Sequence, residues 1–187
     1  MKIKKVDLKD KVFTLAYDDC GYDFYDEHFD PVTFISNHRD YSSKGELSHL
    51  ELDNVIDAYE NGGTINDMEI VPINSYIHGN IALSLDQFDC PWDSGVFGFL
   101  LFKKGEFGKD NRGLKGFIRS WEALLNGEIY HFILEKKIGC DHCGNVELDV
   151  IESVGGFYGY ESYDELLKSI VEDIELTDDE KEKILAA

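Results

Sequence analysis

Two cysteines three positions apart, Cys140 and Cys143, are the sharpest sign of chemistry in this sequence. They lie between Gly139 and Gly144, and glycine permits the backbone conformations that a tight turn needs. Two sulfurs at this spacing can reach one ion, which is half of a tetrahedral zinc site. A redox dithiol is a competing interpretation, but such a pair normally begins a helix. The remaining alternative is a pair of unliganded thiols.

A closed zinc site needs two more ligands, and the sequence contains no second Cys-x-x-Cys. His142 lies inside the turn itself. Cys20 is distant in the chain and would tie an N-terminal loop to the turn, while His28 and His131 are further candidates. We predict roughly one zinc ion per chain. The predicted ligands are Cys140, Cys143, His142 and Cys20.

A further thiol, Cys90, begins the segment Cys-Pro-Trp-Asp-Ser-Gly at positions 90–95. Cys90 could act as a nucleophile if it were paired with His78 and Asp93. The segment shows no helix N-terminus beside this thiol, however, and Asp93 and Ser94 are typical turn residues before Gly95. We therefore expect a packed thiol followed by a turn. The segment 37–41, Asn-His-Arg-Asp-Tyr, is interpreted in the same way as a local polar network.

Negative charge sets this chain apart, with 38 Asp and Glu residues against 18 Lys and Arg and a net charge of −20. Such a molecule is steered toward positive surfaces and repelled by nucleic acid and anionic membranes. The plain alternative is an ordinary solvated acidic surface. If the charge serves binding, the carboxylates expected to contact a basic partner lie in two segments, 18–30 and 172–182. They are Asp18, Asp19, Asp23, Asp26, Glu27, Asp30, Glu175, Asp178, Asp179 and Glu180.

The elements that must position these groups indicate an α+β fold. Strands are predicted at 2–8, 11–17, 31–37, 68–78, 80–85, 95–104, 128–138 and 145–153. Helices are predicted at 48–59, 115–125 and 163–174, with a last short helix opened by a Thr177–Glu180 capping box. Short turns between neighbouring strands favour antiparallel pairing. We predict one domain over 1–187, with a central, largely antiparallel sheet, three to four helices, an acidic aromatic loop at 18–30 and a hairpin turn at 139–144.

Targeting and catalytic motifs are not found in the sequence. No apolar run approaches the roughly 20 residues that cross a bilayer. The basic N-terminus, Met1–Lys5, is not followed by the apolar stretch of a signal peptide, so we expect a cytoplasmic protein with reduced cysteines. No phosphate-binding glycine loop, His-Glu-x-x-His or Gly-x-Ser-x-Gly occurs. The chain is therefore predicted not to be an enzyme.

Several short segments resemble a family of small acidic proteins encoded by bacteriophages and mobile elements, most of which have no assigned function. The segments are Tyr-Ile-His-Gly at 76–79, Cys-Pro-Trp-Asp-Ser-Gly at 90–95, Gly-Phe at 98–99, Gly-Glu-Ile-Tyr at 127–130 and Gly-Gly-Phe-Tyr-Gly at 155–159. The segment 37–41 resembles the family's His-Arg-x-Tyr, and the resemblance covers roughly residues 30–165. In that family the hairpin turn is rich in Asp, Glu and Gly. The Cys-x-x-Cys is therefore a departure, and metal binding would be a local elaboration.

In length, acidity and its cysteine turn, the chain is also similar to zinc-containing anti-CRISPR proteins of streptococcal phages and prophages. That likeness implies an inhibitor, in the bacterial host cytosol, that binds the type II RNA-guided nuclease and occupies the basic channel for guide-paired DNA. It implies a protein partner, no direct contact with nucleic acid or membrane, and no catalytic residue. The alternatives are a metal- or thiol-dependent hydrolase using Cys90 and a phage regulatory protein without a defence target.

Overall fold

The computed structural model describes residues 2–19, 32–38, 41, 49–62, 64–107, 112–140 and 142–187. Numbered in chain order, its elements are β1 (Lys2–Asp7), β2 (Lys11–Tyr17), β3 (Thr33–Ser36), α1 (His49–Glu60), β4 (Met68–His78), β5 (Asn80–Ser84), β6 (Ser94–Lys103), α2 (Arg112–Leu125), β7 (Tyr130–Gly139), β8 (Val146–Phe157), α3 (Tyr163–Asp173) and α4 (Asp178–Ala186). The chain divides into two compact units. We call Met1–Gly21 with Gly127–Ala187 the terminal unit and Tyr22–Asn126 the middle unit.

The terminal unit is built on a four-stranded antiparallel sheet in the order β1-β2-β7-β8. β2 pairs with β7 along its whole length, from Lys11 opposite Lys136 to Tyr17 opposite Tyr130. Residues 12–16 of β2 are all buried, which explains why its sequence is apolar at nearly every position rather than at alternate ones. Strands from positions 2–17 and from positions 130–157 therefore share one sheet.

Two helices complete the core of the terminal unit. In α3, buried residues recur at the spacing of one helical face. They pack with apolar side chains of β2 and β7; the main members of this cluster are Phe13, Leu15, Phe132, Leu134, Leu166, Leu167, Ile170 and Val171. At the start of α4 the predicted capping box is present, since Thr177 accepts from the Glu180 amide and Glu180 accepts from the Thr177 amide.

The hairpin of β7 and β8 carries Cys140 and Cys143 at its turn. Its ladder runs from Tyr130 opposite Phe157 to Gly139 opposite Val146. β8 lies at the edge of the sheet, and residues 146–151 are all exposed. The turn therefore stands at the exposed end of a long strand pair.

The middle unit has its own four-stranded antiparallel sheet, in the order β3-β6-β4-β5. β6 is buried on both faces, which accounts for its continuous apolar run. Leu100 and Phe102 pack into the cluster that contains Trp121 of α2, while Phe99 and Leu101 pack into a second cluster with Val55 of α1. Trp121 is 1% exposed and anchors α2 to the sheet.

The predicted α+β class and antiparallel pairing are confirmed, as are the helices near 48–59, 115–125 and 163–174 and the hairpin closed at 139–144. The described strands form two four-stranded sheets, whereas the prediction was one central sheet. A single domain over 1–187 stays a prediction. The acidic aromatic loop at 18–30 lies outside the described residues from Cys20 onward. Within the described part of the chain, no helix is long and apolar enough to cross a bilayer.

Candidate metal-binding turn

The turn between β7 and β8 is closed by backbone hydrogen bonds at its base. The Cys140 amide donates to the Asn145 carbonyl at 2.8 Å, and the Gly144 amide donates to the Cys140 carbonyl at 2.9 Å. Gly144 has a φ of +70°, a left-handed conformation that costs little only for glycine. The hairpin ladder, these hydrogen bonds and this one glycine together close the turn that contains positions 140 and 143.

Both thiols of the turn are exposed and unbridged. A hydrogen bond between the Cys143 and Cys140 side chains, together with amide N–H groups of Cys143 and His142 that donate to the Cys140 sulfur, lowers the pKa of Cys140 below the ordinary thiol value. Desolvation acts weakly in the opposite direction. A lowered pKa favours the thiolate, which is the form of cysteine that binds a soft metal ion.

The side chains at this turn are of the types that bind zinc, but there are too few of them to close a zinc site. Two thiolates and an adjacent imidazole are ligands that zinc prefers, and zinc sites close with four. In the residues that the structure describes, no group of three or more His, Cys, Asp or Glu side chains is arranged to hold an ion. The structure therefore brings together Cys140 and Cys143 alone. His142 is exposed beside them, and Cys20 and His28 lie outside the described residues.

His131, the remaining candidate, lies far from the turn. It sits near the start of β7 opposite Ala16, whereas Cys140 follows the end of that strand. Its Nδ1 atom is buried and makes no hydrogen bond with the described residues. His131 is thus placed in the body of the sheet.

The Cys90 segment forms the predicted turn, and it brings Cys90, Asp93 and His78 together in an order unsuited to nucleophilic catalysis. Asp93 Oδ2 lies 3.9 Å from Cys90 Sγ and 3.3 Å from His78 Nδ1. The carboxylate, rather than the imidazole, faces the sulfur, so the described contacts give Cys90 no base. Ser94 Oγ donates to the Cys90 carbonyl, and the Ile77 amide donates to the Asp93 carbonyl at 2.8 Å.

The segment 37–41 makes local contacts, in keeping with its interpretation as a polar network. The His38 amide donates to Ser36 Oγ at 3.1 Å, and the His38 ring lies 5.2 Å from that of Tyr41. Arg39 and Asp40 lie outside the described residues.

Two of the carboxylates assigned to partner binding have structural contacts within the terminal unit. Asp18 accepts from the Gly156 amide at 3.1 Å, and a Cβ added at Gly155 would overlap the Asp18 carboxylate. Glu180 belongs to the capping box and pairs with Lys11 at 2.9 Å, where its side chain is 13% exposed. The hydrogen bond from Lys11 is the main reason that the pKa of Glu180 is lowered.

The other carboxylates of that set are exposed or undescribed. Asp19, Glu175, Asp178 and Asp179 are exposed, and so are their neighbours Glu172 and Asp173. All of these except Asp19 fall within the eight positions 172–179, around the junction of α3 and α4. Asp23, Asp26, Glu27 and Asp30 lie outside the described residues.

Two features were missed in the sequence. Trp92 is 90% exposed at the tip of the Cys90 turn, although its Pro-Trp-Asp setting among turn residues was a signal for it. The amides of His142 and Cys143 also act on the Cys140 sulfur, and glycine directly after Cys143 was the available signal. No protein-family model, curated protein or solved structure matches this chain.

Proposed function

We propose that this chain is a binding protein that inhibits a nucleic-acid-handling partner by covering a basic surface. The partner implied by the sequence resemblance is the type II CRISPR effector nuclease, whose positive channel holds the guide–target duplex. The proposed contact surface is the α3–α4 junction, which we define as Glu172, Asp173, Glu175, Asp178 and Asp179.

The observation that carries this proposal is the density of exposed negative charge at the α3–α4 junction. Residues 172–179 contain five exposed carboxylates and no Lys or Arg. Within the described residues, none of these five carboxylates takes part in a hydrogen bond or ion pair. Glu172 and Asp173 lie in the last turn of α3, where the helix dipole disfavours negative charge. Folding alone therefore does not account for the charge at Glu172 and Asp173, whereas Asp178 and Asp179 lie in the first turn of α4, where the helix dipole favours it.

Rigid support makes the α3–α4 junction suitable for binding. Leu166, Leu167, Ile170 and Val171 fix α3 in the core, and the capping box fixes the start of α4. Carboxylates on fixed helices present a stable negative potential, which accelerates encounter with a basic surface and fixes orientation. Dissolved salt screens charges that are more than about 8 Å apart at physiological ionic strength, and this screening weakens such steering. We expect affinity to fall steeply as salt is raised.

A matched pair of triple variants tests this proposal. One is Glu172→Gln with Asp173→Asn and Glu175→Gln at the junction; the other is Asp53→Asn with Asp57→Asn and Glu60→Gln on α1. Each removes three exposed carboxylates, including two from the last turn of a helix, so the two should shift stability alike.

Binding to the guide-loaded effector is measured by calorimetry or surface plasmon resonance, and DNA loading by competition. The junction triple should weaken binding roughly tenfold or more, and the α1 triple by no more than about twofold, as expected for interface and remote charges. Equal losses in both variants would mean that total charge matters rather than the junction. Absence of binding by the unmodified chain would reject the proposed partner.

We also propose that Cys140 and Cys143 bind zinc. The support is that both thiols are exposed and unbridged at one closed turn, and that the neighbouring Cys143 lowers the pKa of Cys140. When bound, zinc would lock the end of the β7–β8 hairpin, because each cysteine belongs to a different side of the turn.

A further inference from the structure

We propose that the Cys140–Cys143 turns of two copies of this chain meet at one zinc ion, which forms a four-sulfur site between them. This inference rests on the zinc binding proposed above. Zinc closes a structural site with four ligands, and one turn supplies two thiols. A second copy supplies the same pair through a two-fold axis, which is the commonest symmetry of protein dimers.

The turn is accessible to a second copy. Cys140, Cys143 and His142 are exposed, and so are the last two pairs of the ladder, Ile138 with Glu147 and Gly139 with Val146. No described residue packs over the two sulfurs to bury them. A turn at the exposed end of a strand pair can approach its equivalent without moving the core of the terminal unit.

His131, a described candidate, is a poor source of a missing ligand within the same chain. It lies opposite Ala16 near the start of β7, whereas Cys140 follows the end of that strand. At about 3.4 Å per residue, the strand separates His131 from Cys140 by roughly 30 Å. Cys20 and His28 lie outside the described residues.

The zinc ion itself offsets part of the charge of four thiolates. Charge elsewhere opposes association, since each chain carries −20. The zinc-bridged dimer should therefore be strengthened by added salt, which screens that repulsion. Binding to a basic partner should be weakened by the same salt.

The test uses the full chain, freed of metal by a chelator and kept reduced without oxygen. Zinc is added stepwise, while molar mass is followed by light scattering and bound zinc by elemental analysis after dialysis. We expect the mass to double from 21.3 kDa, an end point of one zinc per two chains, and reversal by chelator. Cys143→Ser should lower the affinity for zinc by roughly 100-fold or more and should also abolish the dimer. Cys90→Ser should change neither the zinc affinity nor the dimer.

The other outcomes separate the two ideas. One zinc per chain on a monomer would overturn the bridged dimer and leave zinc binding at the turn intact. Absence of zinc binding would reject both. A dimer that forms without zinc, or that survives Cys143→Ser, would also overturn the bridge. Binding of the effector is measured separately on the Cys143→Ser variant, so failure here leaves the inhibitor proposal standing on its own test.

Discussion

The turn at 90–95 in the middle unit and the turn at 139–144 in the terminal unit each combine cysteine with glycine, yet they surround the sulfur differently. Cys90 is half-buried, and its sulfur lies 3.9 Å from the Asp93 carboxylate, which also contacts His78. Cys140 is exposed, and the neighbouring Cys143 and His142 lower its pKa. The Cys90 sulfur therefore lies beside a carboxylate, whereas the Cys140 sulfur belongs to a pair of exposed thiols.

The difference teaches that the partner of a thiol decides its chemistry more than the local residue pattern does. A carboxylate can accept the S–H group of a neighbouring thiol as a hydrogen bond. A lowered thiol pKa favours the thiolate, which is the form that binds metal and reacts with electrophiles. Of the two turns, the terminal one has the thiol whose pKa is lowered.

The largest expected difference between the turns is in thiol reactivity. In the metal-free, reduced protein at pH 7, Cys140 should react with a small alkylating probe roughly tenfold faster than Cys90, because it is exposed and its pKa is lowered. The rate for Cys140 should fall as pH drops through that lowered pKa, since the thiolate is then protonated. Mass spectrometry of the labelled peptides separates the cysteines.

Zinc provides the control for that comparison. Added zinc should protect Cys140 and Cys143 from the probe and leave Cys90 unchanged. Faster labelling of Cys90, or equal protection of all three thiols, would remove the distinction between the turns.

A smaller difference is expected from the glycines that follow each turn. Gly144→Ala places a Cβ on a residue with φ of +70°, which should cost roughly 1–2 kcal/mol of folding free energy and loosen the turn. Gly95→Ala is the matched control, because Gly95 does not have a left-handed φ and no atom lies within 4 Å of the added Cβ. Chemical denaturation measures both. Equal stability of the two variants would show that the closed shape of the terminal turn does not depend on Gly144.

The smallest effect is expected at the carboxylate of the middle turn. Asp93→Asn removes the charge beside His78, where the two side chains are 74% and 39% exposed, so the loss should be below about 1 kcal/mol. The Asp93 carbonyl keeps its bond from the Ile77 amide, and the turn should persist. Thermal unfolding and zinc binding are the measurements. A change in zinc affinity would contradict the separation of the two turns.

Local features of the fold were predictable because they depend on neighbours in the chain. The Thr177–Glu180 capping box, the apolar spacing of α3 and the hairpin around 139–144 all lie within short segments. The division into two sheets was not predictable. It depends on β2 pairing with β7 across more than a hundred residues, and neither strand carries a local sign of its partner.

The residues of the candidate sites likewise fall into those that the sequence identified and those whose roles depended on the tertiary structure. Cys140, Cys143 and Gly144 identify a turn that can present two sulfurs, because residue type and spacing set what a tight turn can hold. The roles of Asp18 and Glu180 were decided by tertiary contacts, since Gly156 and Lys11 meet them only when distant strands and helices pack. The order Cys90–Asp93–His78 was likewise set by the fold of β4 against β6. Short-range geometry is encoded in a few residues, whereas the partner of a charge or a sulfur depends on how the whole chain closes.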